Sequence, residues 1–184
     1  MFEDEARQNN AVIDPSEFCQ LAIEGEMAVK VDEDGQIKAA FPVIELHNFL
    51  FRAEQKTLAE LIANNGINAG IVLPEINWQD STKYLYENAQ LTLCINGLDI
   101  GTTGLWPSDD GPESSVTWLK SNLEDCGIKL EPGSTVLAGT ALGLYPVKSG
   151  DEVSVHIDRQ PLVSCTIKNS RTREALNMMR ILKW

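Results

Sequence analysis

The stretch that most restricts how this chain can fold is Ile23-Glu24-Gly25-Glu26-Met27-Ala28-Val29, which sets two carboxylates into a run otherwise suited to a buried strand. In a strand, residues i and i+2 share a face, so Glu24 and Glu26 stand side by side. Two carboxylates that close repel, and burying either one uncompensated costs several kcal/mol or shifts its pKa upward. A divalent cation relieves both problems, and hard cations such as Mg²⁺ and Mn²⁺ favour oxygen ligands. The glycine between them allows close approach of backbone or ligand. The alternative reading is an exposed strand face, since Glu-x-Glu by itself is a common pattern.

A third carboxylate follows in Val43-Ile44-Glu45-Leu46-His47, another apolar run. Residues 22–31 and 37–46 read as strands, and Asp32-Glu33-Asp34-Gly35 between them is a hairpin signal. Pairing of these strands returns Glu45 to the neighbourhood of Glu24 and Glu26. Three carboxylates from two strands can occupy one side of an octahedron and leave the other for water or a chelating substrate. His47 is expected on the opposite strand face from Glu45, as a replacement base.

Composition limits the alternatives. With 15 Lys and Arg against 27 Asp and Glu, the net charge is −12, which argues against nonspecific binding of nucleic acid or anionic lipid. An anionic substrate then needs a metal or local cation to reverse the field. No apolar run approaches the roughly 18 residues of a membrane span, and the acidic start Met1-Phe2-Glu3-Asp4-Glu5 is unlike a signal peptide. Cys19, Cys94, Cys126 and Cys165 lie far apart without zinc-type spacing, so reduced, mostly packed thiols in a cytoplasmic protein are expected.

Elsewhere, residues 1–18 are polar and irregular. Leu58, Leu61 and Ile62 recur at helical spacing before Asn64-Asn65-Gly66, a helix stop. Asn96-Gly97 is the strongest hairpin turn, following a strand over 90–95 with Leu91, Leu93 and Ile95 inward. Val116, Leu119, Leu123 and Cys126 mark an amphipathic helix, with Ser114 or Ser115 as its N-cap and Trp118 as a core residue. A strand over 135–138 leads to Gly139-Thr140, where the Thr140 hydroxyl and nearby N–H groups could bind a carboxylate; an ordinary threonine at a strand end is the alternative. Strands are expected over 153–157 and 162–168, with His156 on the polar side. The basic segment 169–184 has Ala175, Leu176, Met179 and Leu182 at helical spacing, as a tail helix that packs or binds a partner.

Over residues 18–168, the Glu-x-Glu pair, Glu45, Leu137-Ala138-Gly139-Thr140 and Tyr145-Pro146-Val147-Lys148-Ser149-Gly150-Asp151 make this sequence resemble the fumarylacetoacetate hydrolase superfamily. The likeness is greatest to its 2-keto-4-pentenoate hydratase and 4-oxalocrotonate decarboxylase branch. The resemblance implies an α+β fold, a mixed, curled β-sheet core (a β-roll) with a few peripheral helices. It implies an N-terminal lid or linker over 1–18 and a catalytic domain over 19–168, and the tail helix over 169–184 falls outside the family pattern. It also implies Mg²⁺ or Mn²⁺ on Glu24, Glu26 and Glu45, a bound 2-oxo acid touching Gly139, Thr140 and Asn65, and a homodimer.

The implied activity is that of a metal-dependent hydro-lyase on a small 2-oxo acid such as 2-hydroxypenta-2,4-dienoate, as in aromatic catabolism. A decarboxylase or C–C hydrolase would use the same platform. The sequence departs from the pattern in several places. Its start has no counterpart of the family's N-terminal portion with an acid/base lysine, and the link from Glu26 to Glu45 is a simple hairpin. Asn48 and Asn64 replace acidic residues, and the lysine position falls on Gln55 with Lys56 beside it. Lys56 is the candidate catalytic residue together with His47, against the reading of a solvated helix lysine. These departures support a second hypothesis, a catalytically reduced homologue that binds metal and an oxo acid or a protein. A third is a β-rich domain whose carboxylates are surface groups.

Overall fold

The computed structural model describes residues 5–49, 57–75 and 81–169. Its organising unit is the hairpin of β3 (Leu21–Val31) and β4 (Ile37–Asn48), the two longest strands, paired antiparallel so that Glu24 lies directly opposite Glu45. The turn forms where the sequence places it. Gly35 has φ +68°, and the Asp32 carboxylate accepts the N–H groups of Asp34 and Gln36.

Around this hairpin the chain builds a six-stranded sheet. Strands β1 (Ala6–Arg7), β5 (Asn68–Val72), β4, β3 and β8 (Thr135–Leu137) follow in that order, with β9 (Tyr145–Pro146) also pairing β3. The second sheet runs β2 (Ala11–Ile13), β11 (Gln160–Ile167), β10 (Glu152–Ile157), β6 (Gln90–Ile95) and β7 (Leu98–Gly104). Both sheets are mixed, because β1 joins β5 and β2 joins β11 in parallel. Residues 5–18, expected as an irregular lead-in, thus contribute a strand to each sheet. The described residues also form the helices α1 (Leu58–Ala63) and α2 (Gly111–Asp125) and short 3-10 turns over Pro15–Glu17, Asn65–Ile67 and Thr82–Leu85. The architecture is the α+β, β-rich one expected.

The period-two rule explains the two faces of β3. Ile23, Met27, Val29 and Val31 point toward the second sheet and meet Leu91, Leu93, Val153, Val155 and Cys165 in the main core. Each such aliphatic side chain contributes about 1.5–3 kcal/mol on burial. Ala28 faces the other way and joins Ala39, Phe41 and Val43 in a smaller core, flanked by Leu73 and Leu137. Glu24 and Glu26 stand on that second face.

The Asn96-Gly97 turn joins β6 to β7 with both residues left-handed, φ +54° and +74°, as a type I′ hairpin needs. Helix α2 starts four or five residues earlier than an N-cap at Ser114 or Ser115 implies. Asp110 is its N-cap, Pro112 sits in its first turn where no N–H is needed, and Ser114 lies inside, donating its hydroxyl to the Gly111 carbonyl at 3.2 Å. Trp118, expected in the core, is 67% exposed, because α2 turns only Pro112 and Val116 fully inward. All four cysteines are free; Cys94 and Cys165 are buried as expected, whereas Cys19 and Cys126 are exposed. No described helix is long and apolar enough to cross a membrane. Lys56 and the tail beyond Asn169 lie outside the described residues.

Candidate metal centre

The β3–β4 register assembles the site. Glu24 and Glu45 face each other across the strand pair, His47 lies on one diagonal and Glu26 on the other, all on the face away from the main core. Like charges directly opposite each other in a sheet are destabilising, so this arrangement calls for a compensating cation. His47 Nε2 lies 3.2 Å from Glu24 Oε2 and 3.4 Å from Glu45 Oε2. Donor atoms of Glu24, Glu45 and His47 all fall within 4.8 Å of one another.

This placement corrects the expectation for His47. Residues 45 and 47 are two apart, so strand alternation puts them on the same face, and the side chain joins the carboxylates instead of pointing away from them. Counting from Glu45 along the strand is the signal that would have placed it.

Burial varies sharply across the cluster. The Glu24 side chain is 24% exposed, that of His47 only 5%, and Glu26 is 2% exposed as a residue. Burial, reinforced by the neighbouring Glu45 and Glu24 carboxylates, holds the Glu26 carboxyl well above the usual range, opposed by the Gly139 N–H beside it. Burial also raises Glu45, but the hydrogen-bonding groups of His47, Glu26 and Asn68 outweigh it and leave the Glu45 carboxyl lowered. Asn68 donates to Glu45 Oε1 at 2.6 Å. For His47, burial disfavours the imidazolium, yet Glu24 and Glu45 prevail and raise it to about 9.

The raised Glu26 and His47 have the same sign in the linkage between protonation and folding, whereas the lowered Glu45 has the opposite sign and acts only in the acid range. In protein freed of divalent cations, the native state holds protons on His47 and Glu26 that the unfolded chain releases at lower pH, so stability falls as pH rises. The His47 contribution is fully present below about pH 6.5 and is lost as pH climbs through about 9. Thermal melts of chelator-treated protein from pH 6 to 9.5 are expected to show a declining melting temperature. A flat profile would contradict the buried His47–carboxylate arrangement.

The donor set suits a cation. Glu26 Oε1 and both His47 ring nitrogens are buried without a hydrogen-bond partner. An unsatisfied buried polar group costs about 1–3 kcal/mol, which ligation at the site would offset. Glu24, Glu45 and His47 could hold the ion, with Glu26 against Glu45.

A cleft of about 810 Å³ opens beside this cluster, lined among others by Glu45, Asn65, Asn68, Lys30, Thr135 and Leu137. Of the expected substrate-binding residues, Asn65 lines this cleft, exposed and left-handed at φ +54°. Gly139 sits at the end of β8, its N–H beside Glu26. The adjacent Thr140 hydroxyl accepts the Leu142 N–H at 3.0 Å, which leaves its own proton to donate. Asn68 and Lys30 were not anticipated. Lys30 shares the strand face of Glu24 and Glu26 and donates to Thr135 Oγ1 at 3.4 Å. Nothing in the local sequence distinguishes either residue from an ordinary strand position.

Comparison with known proteins bears on the fold. No family model matches the chain, and no curated protein matches it. Solved structures do. 4-Oxalocrotonate decarboxylase from Pseudomonas putida G7, complexed with magnesium and adipate, superposes with a TM-score of 0.78 at 17% identity, over 90% of this chain and 67% of that one. 2-Keto-3-deoxy-D-arabinonate dehydratase, complexed with magnesium and 2,5-dioxopentanoate, gives 0.65 at 17% identity, over 90% and 59%. Fumarylpyruvate hydrolase from Pseudomonas aeruginosa, in complex with Mn²⁺ and pyruvate, gives 0.59 at 13% identity, over 90% and 74%. The chain thus spans roughly three fifths to three quarters of the length of these proteins. At these identities the shared property is the fold, and this chain takes the fold of these three proteins, the α+β architecture that the resemblance implied.

Proposed function

We propose that this protein is a divalent-metal-dependent enzyme acting on a small 2-oxo acid, with hydro-lyase chemistry of the 2-keto-4-pentenoate hydratase type. The observation that carries the reading is the convergence of the buried carboxyls of Glu26 and Glu45 with the half-buried Glu24 carboxylate, beside an open cleft that Glu45 lines. Mg²⁺ or Mn²⁺ held there supplies Lewis-acid stabilisation of charge developing on the 2-oxo oxygen. The solved structures of the same fold that carry a metal with adipate, 2,5-dioxopentanoate or pyruvate support that choice of ligand class.

The chain's own groups then orient the acid. The Thr140 hydroxyl stands just past β8 as a donor for its carboxylate, next to Gly139, and Asn65 and Asn68 line the cleft. Lys30, the single cation among the described lining residues, offsets negative charge in a strongly acidic protein. Lys56 is the group proposed to move a proton; His47, read from the sequence as a replacement base, lies 3.2 Å from Glu24 and 3.4 Å from Glu45.

One observation favours the catalytically reduced alternative. Asn48 and Asn64, where the resembled family carries acidic groups, have structural duties here. The Asn48 side-chain Oδ1 accepts the Cys19 N–H at 2.8 Å, and the Asn64 side-chain amide donates to the Glu60 backbone carbonyl at 2.8 Å.

Turnover of 2-hydroxypenta-2,4-dienoate, with oxaloacetate as the decarboxylation control, separates the readings when assayed with Mg²⁺ or Mn²⁺. Metal-dependent hydration is the expected result. Bound metal without turnover of either compound would assign the reduced homologue.

A further inference from the structure

Resting on the divalent-metal reading above, we propose that His47 is itself a metal ligand, so that Glu24, Glu45 and His47 form a mixed oxygen and nitrogen centre. Such a centre prefers first-row transition ions such as Co²⁺ or Mn²⁺ to Mg²⁺.

Geometry carries the assignment. Cis ligands about 2.1 Å from one ion lie about 3 Å apart. His47 Nε2 is 3.2 Å from Glu24 Oε2 and 3.4 Å from Glu45 Oε2, close to that spacing for both pairs. The ring is 95% shielded, the complement of its 5% side-chain exposure, and is aimed at the carboxylates. Neither ring nitrogen makes a hydrogen bond of acceptable geometry, so proximity at Nε2 is its close polar relation to the protein. With its proton released to make way for the ion, Nε2 would offer its lone pair between the two carboxylates, which is a coordination arrangement.

The backbone fixes this position. Glu45 and His47 share a face of β4, and Glu24 lies opposite one and diagonal to the other, so two strands deliver three donors to one side of an ion. Asn68 holds the far oxygen of Glu45 at 2.6 Å, orienting Oε2 toward the histidine. Imidazole is a softer donor than carboxylate and favours first-row transition ions, Co²⁺ more than Mn²⁺, whereas all-oxygen sites suit Mg²⁺, Ca²⁺ and Mn²⁺. One nitrogen in the set therefore moves the metal preference along that series.

The test reads the metal and needs no turnover. Chelator-treated protein is loaded with Mn²⁺ and studied by pulsed electron paramagnetic resonance, in which a directly bound imidazole gives ¹⁴N modulation. The modulation is expected in the unaltered protein, retained in His156→Gln and absent in His47→Gln; these are the two histidines of the chain. Titration calorimetry is expected to show the Mn²⁺-over-Mg²⁺ affinity ratio falling at least tenfold in His47→Gln. His47→Asp, an all-oxygen set, is expected to regain Mg²⁺ binding. Bound Mn²⁺ without nitrogen modulation in the unaltered protein would overturn the assignment and leave the metal reading intact. Failure to bind any of these ions would overturn the metal reading itself.

Discussion

Glu45→Gln is expected to abolish the stabilisation that divalent metal confers. A ligand present at a hundred times its dissociation constant adds about 2.7 kcal/mol to the folded state. For a chain of this size that corresponds to about 5–10 °C in melting temperature. Glu45 carries this effect because it faces Glu24, approaches His47 and is braced by Asn68. The substitution keeps the shape and the Asn68 partner while removing the charge. Scanning calorimetry of both proteins with and without saturating Mn²⁺ gives the answer. Glu24→Gln is expected to act in the same direction from its more exposed position. Equal metal-induced shifts in the unaltered protein and both variants would remove these residues from the ligand set.

Phe41→Ala is expected to cost about 3–5 kcal/mol, the range for truncating a buried aromatic. Phe41 is 2% exposed and is the one large side chain of the smaller core, where its buried companions are Ala28, Ala39 and Val43. Small neighbours on rigid central strands cannot collapse into the space it leaves, which places the cost toward the upper end. The void would also open on the face that carries Glu45, four residues along β4. Urea denaturation is the measurement, and a loss below about 1.5 kcal/mol would show that the smaller core repacks around the deletion.

What could be read from the sequence was local. Asp32 to Gly35 and Asn96-Gly97 specify their turns through residues that tolerate left-handed backbone, so both hairpins were visible, and the first brought Glu45 opposite Glu24. Parallel pairing of β1 with β5 and of β2 with β11 was not visible. Strands of two or three residues carry too little periodicity, and their partners lie some 65 and 154 positions away. Trp118 shows the limit of helical patterning, because spacing identifies a stripe but not how much of it another element covers. The carboxylates of the site were legible because charge inside an apolar run is conspicuous. Asn68 and Lys30 were not, since each owes its place in the cleft to tertiary packing.

Gly25 gives the donor strand a mechanical address. A Cβ at this position would stand 3.0 Å from Val155 Cγ2 and 3.4 Å from Leu93 Cδ1, so the backbone between the two glutamates rests directly on the opposite sheet. The height of Glu24 and Glu26 above the cleft floor is therefore gauged from behind, by side chains that never touch a ligand. Changing the bulk of Val155 or Leu93 shims the strand forward or lets it settle back, tuning the aperture of the centre from its far side.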